Sequence, residues 1–259
     1  DLGPDILIAT HSTEIIAECD PTSLLSINKK KTSAQRVKDA SQLKRVFSTL
    51  GSNLNPTLTQ LAKTRRVLFV EGLDFQILST FARTLGEQRV ANRADFAVVQ
   101  TEGFNPKRAV DLAAGIDAAV GNRVLRAVVL DKDYRCADEV GDVTKELQKH
   151  DFHVHIHHRK ELENYLLDAT VIARAVEVRL AEKARRSGEA KPTSPDVNAI
   201  LQEAIEEVRH HTFAQIQARE AEYRRRKAPH LDQATITADI SKRFDAEWSS
   251  TVGRLSLVP

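Results

Sequence analysis

The chain contains no methionine, a single tryptophan and only two cysteines among its 259 residues. Cys19 and Cys136 lie far apart and form no metal-ligand spacing, so a thiolate metal ribbon is excluded. Few cysteines are the habit of a reducing cytoplasm, and both are expected to be free thiols. No signal peptide opens the sequence and no apolar run is long enough to span a bilayer, so a cytoplasmic chain without a membrane partner is expected. A sequence that opens on Asp1 and lacks methionine is expected to be a piece of a longer protein. No glycine-rich loop of the G-x-x-x-x-G-K-[ST] kind occurs, which excludes ATP binding and hydrolysis by this chain alone. Charge of neither sign dominates: 38 basic residues face 36 acidic ones, so distribution rather than net charge must decide whether nucleic acid is a partner.

What is present begins with two short apolar runs that end in acids. Arg66-Val67-Leu68-Phe69-Val70 runs into Glu71, Gly72 and then Asp74; Ala127-Val128-Val129-Leu130 runs into Asp131-Lys132-Asp133. Short runs rich in Val and Leu fit doubly buried strands of a parallel sheet. In such a sheet functional groups collect beyond the carboxyl ends of the strands. Four carboxylates would then converge at one rim, repel one another, and call for a divalent cation. With Glu163 from the acidic segment Glu161-Leu162-Glu163-Asn164-Tyr165, the residues Glu71, Asp74, Asp131, Asp133 and Glu163 supply oxygens from three separate segments. All are oxygen donors, suited to Mg²⁺ or Mn²⁺ rather than a soft metal. Two such ions can activate water, neutralise phosphate charge and stabilise a leaving oxygen. Glu161, two residues from Glu163, cannot share its direction on a helix and ranks below it. Strand alternation would turn Lys132 away from the face of its two aspartates.

The intervening pattern alternates strand and helix. A helix follows Asp74 with Phe75, Leu78, Phe81, Ala82 and Leu85 on one face. Residues 96–100 read as a strand. Asn105 before Pro106 reads as a helix start, with Ala109, Leu112, Ala113, Ile116 and Val120 inward. A further helix is expected near Asp138, with Val140, Val143 and Leu147 inward. Phe152-His153-Val154-His155-Ile156-His157 alternates, apolar on one face and histidine on the other; alternate histidines can ligate zinc, and otherwise mark a polar outer face. From about residue 169 the composition shifts to Ala, Glu and Arg. Long helices are expected over 171–186 and 197–227, with a flexible loop over 187–195. The run Tyr223-Arg224-Arg225-Arg226-Lys227 can grip phosphates or form a solvated helix face.

The first-strand Val-Glu-Gly, the later Asp-x-Asp and the following Glu-Asn-Tyr segment together resemble the Toprim domain of the OLD (overcoming lysogenisation defect) family, in a class 2-like bacterial form. A second stretch, Ile6-Leu7-Ile8-Ala9-Thr10-His11-Ser12, reads as an apolar strand followed by a helix over 13–19. It resembles the last core strand and switch histidine of ABC-type ATPases. The resemblance implies an α/β fold: a Rossmann-like Toprim parallel sheet flanked by helices, with a C-terminal helical insertion domain. It implies an ATPase remnant over 1–30, a helical connector over 31–65 with helices at 41–50 and 57–65, a Toprim domain over 66–168, the insertion over 169–247 and a return segment over 248–259. It also implies a metal-dependent DNA endonuclease with Glu71, Asp131, Asp133 and Glu163 at the chemistry and Asp74 completing a second metal site. Lys132, Arg135, Arg224, Arg225 and Arg226 would contact DNA. His11 would sense ATP in the intact protein, which would also be an ATPase and a homodimer. Some family members act in phage defence beside a helicase. The family carries a lysine in a Pro-Gly-Lys context after the insertion, beyond Pro259.

Two other functions compete. A haloacid dehalogenase-like phosphatase would use Asp131-Lys132-Asp133 as its nucleophile motif, but Arg135 stands where Thr or Val belongs and an acidic strand precedes it. A non-catalytic Toprim that only binds DNA and partners would tend to lose the first-strand Glu or an Asp, and both are present. A primase or topoisomerase is disfavoured by the lack of a nucleophilic Tyr context and of a zinc ribbon.

Overall fold

The computed structural model describes residues 6–12, 15–16, 19, 23–27, 34–37, 56–101 and 103–259. It divides into two compact units, Asp1–Val128 with Asp151–His153, and Val129–His150 with Val154–Pro259. The fold is α/β: a four-stranded parallel sheet flanked by helices, in the order β4-β3-β5-β6.

In the first unit, β1 (Leu25–Ser26) and β2 (Gln35–Arg36) form a small antiparallel pair. Helix α1 (Pro56–Thr64) leads into β3 (Arg66–Glu71), α2 (Asp74–Thr84), the short α3 (Gln88–Ala91), β4 (Ala97–Thr101), α4 (Pro106–Val120) and β5 (Leu125–Leu130), whose last two residues belong to the second unit. Strand β3 pairs parallel with β4 from Val67 opposite Ala97 to Glu71 opposite Thr101. Val67, Phe69 and Val70 are buried, so both faces of β3 are covered, as its unbroken apolar run requires. Phe69 is fully buried beside Phe152 at 5.6 Å, a burial that contributes about 2–3 kcal/mol.

Helix α4 starts where expected. The Asn105 side chain accepts from Arg108 N at 2.9 Å, Pro106 occupies the first turn, and Gly121 closes the helix at φ 72°. Ala109 and Ala113 form its buried stripe. In α2 the buried positions are Phe75, Ser79 and Ala82. Leu85 departs from the expected face: it lies at the C-cap, past the last turn, and is 77 % exposed.

The stretch 6–12 is not a strand, and Ile6, Leu7 and Ile8 are exposed. An isolated apolar strand leaves its backbone groups unpaired, and no neighbour among the described residues pairs with this one. The expected helix at 41–50 lies outside the described residues, and that at 13–19 lies there in large part.

The second unit opens with the end of β5 and continues through α5 (Ala137–Lys149), the remainder of β6 (Phe152–Ile156), a 3-10 turn (Leu162–Leu166), and helices α6 (Ala169–Ser187), α7 (Val197–Glu207), α8 (Arg209–Lys227), α9 (Gln233–Trp248) and α10 (Thr251–Leu257). The single helix expected over 197–227 is two, parted at Val208. Its apolar positions are too sparse to fix one continuous face. Instead Ile205 of α7, Ile216 of α8 and Ile236, Ile240, Phe244 and Trp248 of α9 converge on a core that Leu257 and Val258 complete. Phe244 stacks on Trp248 at 5.1 Å. Helix α6 buries no residue.

Candidate carboxylate site

Glu71 ends β3. Gly72 follows at φ 43° and its N–H donates to Thr101 O at 3.3 Å, which turns the chain sharply away from the sheet. A side chain at Gly103 would place its Cβ 3.9 Å from Glu71 Oε1, so the carboxylate lies over the Gly103 backbone. Asp74 is the first residue of α2; the cap is Leu73, which supplies no side-chain bond. There the helix dipole favours the aspartate's negative charge. Both residues belong to the first unit.

The other expected carboxylates belong to the second unit. Strand β5 stops at Leu130, so Asp131, Lys132 and Asp133 do not alternate as a strand would. This corrects the expected orientation of Lys132. Asp133 sits at φ 48°, a left-handed turn conformation that aspartate tolerates, and its N–H donates to Lys160 O at 2.8 Å. Arg135, buried, bonds the Asp133 carboxylate. Asp131 Oδ1 accepts from Leu162 N at 3.1 Å, which ties the end of β5 to the start of the 3-10 turn.

Glu163 is exposed in that turn, which is a 3-10 turn rather than the expected α-helix. Glu161 precedes it in an extended conformation as the N-cap, where its side chain accepts a backbone N–H and its ion-pair partner is Lys160. Asn164 closes the same capping box: its Oδ1 accepts from Glu161 N at 2.8 Å. Its Nδ2 donates to Leu255 O at 3.1 Å and Val258 O at 2.9 Å. Asn164 therefore pins the tail after α10 against the turn.

These placements have an electrostatic result. Burial pushes the Asp131 carboxyl up; the Leu162 N–H opposes, Asp133 and Glu163 add to the rise, Lys160 opposes, and the outcome is a pKa of about 6. Lys160 is buried, and that burial lowers its pKa against the pull of Asp133, Asp131 and Glu163. Its ammonium lies 5.1 Å from the Tyr134 ring. Nothing in the sequence singled out Lys160. Its only signal was a cation directly before the acidic segment. Among the described residues, no group of three or more His, Cys, Asp or Glu stands close enough to hold a metal ion.

The histidine strand ends one residue early. His157 is buried instead of lying on a polar face, and its ring meets His155 at 5.1 Å and Tyr165 at 5.6 Å. Burial above all, with His155 and His158 adding, lowers its pKa to about 4. A neutral imidazole follows, with no zinc group around it among the described residues.

The basic run on α8 is largely engaged within the fold. Arg224 pairs with Glu220 and Asp239, Lys227 with Asp142, and Arg225 Nε donates to Ala221 O. Arg226 lies against the Tyr223 ring. His11 is exposed and follows no strand. In comparisons with known proteins, no family model, no curated protein and no solved structure matches this chain.

Proposed function

We propose that the chain is the Toprim-like, metal-dependent nuclease portion of an OLD-family protein, cleaving phosphodiester bonds of DNA. The observation that carries the reading is Asp131. It stands just past the carboxyl end of β5, fixed by the Leu162 N–H, and burial above all, with Asp133 and Glu163 adding, raises its pKa. Carboxylates gathered just past the carboxyl end of a parallel strand are well placed to bind a cation.

The donor set suits a hard ion. Mg²⁺ retains several waters and needs only one or two carboxylates with substrate oxygens, so a closed three-ligand cage is not required. Asp131, Asp133 and Glu163 do not close on one ion as a group of three, so one or two of them with substrate oxygens would hold it; Glu71 and Asp74 remain ligands by resemblance alone. When bound, the ion supplies an activated water and charge neutralisation at phosphate. Within the chain, Leu162 orients Asp131, Arg135 orients Asp133, and Lys160 limits the repulsion between them.

The remaining parts of the proposal rest on the same resemblance: Mg²⁺ or Mn²⁺ as a pair of ions, a helical insertion after residue 168, and His11 as an ATP sensor in a dimeric ATPase-nuclease. A non-catalytic DNA-binding module is the second reading, and the lack of a preformed three-ligand group among the described residues favours it. The test is supercoiled plasmid incubated with the chain and Mn²⁺. Nicking that Asp131→Ala abolishes supports the nuclease; plasmid retention without cleavage by either protein supports the module.

A further inference from the structure

A cleft of about 360 Å³ opens directly beside Asp133, lined by Tyr134, Arg135, Lys160, Gln215, Arg219 and Glu222 among others. It lies wholly within the second unit. It is lined by the turn after β5 and by α8, whose Arg219 begins the basic stretch Arg219–Lys227 read from the sequence as able to grip phosphates. Arg219 bonds Glu139 through Nε and Nη2, and Glu139 is itself buried and also approached by Arg135 at 3.8 Å. This clamp fixes the guanidinium plane. The third nitrogen, Nη1, makes no bond among the described residues, and the Arg219 side chain remains 39 % exposed. Lys160, ion-paired with Glu161, lines the same cleft, and Gln215 adds an exposed amide.

A pre-oriented guanidinium with a nitrogen to spare, a second cation and an amide in one cleft suit a tetrahedral oxyanion. Asp133 and Glu222 also line the cleft and oppose an anion, but the first is already bonded by Arg135 and the second stands exposed in high-dielectric solvent. We infer that this cleft is a phosphate subsite for the nucleic-acid backbone, in which Arg219 and Lys160 hold a phosphodiester next to the Asp131, Asp133 and Glu163 carboxylates. Arg219 is thus a positioning residue supplied by the helical region. The inference rests on the nuclease reading for the choice of a phosphodiester over other oxyanions.

The test is fluorescence anisotropy of a labelled oligonucleotide with the full chain, in EDTA and in Ca²⁺, across a salt series. Arg219→Gln should weaken binding roughly 10-fold and reduce the salt slope by about one. Because that change also loosens the Glu139 clamp, Ala218→Glu serves as the second variant. Ala218 is exposed and lines the same cleft, so the new carboxylate repels phosphate without removing any packing. It should weaken binding similarly while leaving the melting temperature unchanged. Inorganic phosphate should compete weakly with the oligonucleotide, and less so against Arg219→Gln. Unchanged affinity and slope in both variants, or a loss in Arg219→Gln alone, overturns the subsite. Calorimetry of Mn²⁺ without nucleic acid separates the two ideas. Metal binding with no Arg219 or Ala218 effect removes only the subsite. Arg219- and Ala218-dependent oligonucleotide binding with no metal binding removes only the nuclease.

Discussion

Two clusters of buried charge in the second unit are built in opposite ways. On α8, Glu220 is almost wholly buried, but Arg243 and Arg224 both reach it. Burial pushes its pKa up, yet the bonds and charges of the two arginines outweigh that and leave it lowered. After β5, Asp131 is only partly buried; burial pushes its pKa up, Asp133 and Glu163 add to the rise, the Leu162 N–H and Lys160 oppose it, and it reaches about 6. Cations in excess make a structural brace; acids in excess make a site that gains by taking up a cation. Burial raises both carboxyls; the two arginines around Glu220 reverse that rise, and the groups around Asp131 do not.

The largest expected effect breaks the brace. Glu220→Gln removes the buried carboxylate that Arg224 and Arg243 share and leaves them only their more exposed partners Asp239 and Glu247, so it should destabilise the unit by about 3 kcal/mol, read by urea unfolding. Because the folded pKa of Glu220 is lowered, its stabilisation is complete above the ordinary value of 4.5 and is lost as pH falls through the folded value. The cost of Glu220→Gln should therefore shrink under acid conditions; a pH-independent cost would assign it to packing instead.

Asn164→Ala comes next. It orphans the Leu255 and Val258 carbonyls and the Glu161 N–H, at about 2–3 kcal/mol, and should expose the tail after α10 to proteolysis before the rest of the chain. A tail as protected as in the wild type would contradict the pinning role.

Asp131→Asn should act in the opposite direction to Glu220→Gln. A carboxyl whose folded pKa is raised destabilises the fold once ionised. That penalty is absent below the ordinary value of 3.8 and complete above about 6. The variant should thus melt higher than the wild type at pH 8 and equally at pH 3.5. A lower melting temperature at pH 8 would mean that Asp131 is compensated in the apo protein.

The smallest contrast lies within the acidic segment. Glu163→Gln should weaken Mn²⁺ binding with little change in stability, since Glu163 is exposed. Glu161→Gln should instead cost about 1 kcal/mol through its cap and leave metal affinity nearly unchanged. Calorimetry and melting of the two variants check this, and reversed effects would move the site to Glu161.

Much of the fold was legible in local pattern. The helix start at Asn105-Pro106, the doubly buried β3 and the parallel arrangement follow from short-range chemistry. Leu85 and the break at Val208 were not legible, because both depend on where a helix meets its neighbours. The acids after β5 were visible as a motif, but their geometry was not: Asp133 at positive φ and the 3-10 turn around Glu163 are set by bonds from Asp133 N–H to Lys160 O and from Leu162 N–H to Asp131 Oδ1, across about thirty residues of sequence. Lys160 escaped notice for the same reason, and Arg219 stood out only as the start of a basic stretch that can grip phosphates. A lone cation gains meaning only when folding brings it beside an acid far away in the chain.

The most direct test of the central claim is thermal unfolding of the chain and of Asp131→Asn at pH 8, each with EDTA or millimolar Mn²⁺. An ion at about 100 times its Kd stabilises by roughly 2.7 kcal/mol, on the order of 5 °C or more for a chain of this size. The account predicts that shift for the wild type and little or none for Asp131→Asn. Equal shifts in both proteins, or none in either, would contradict it.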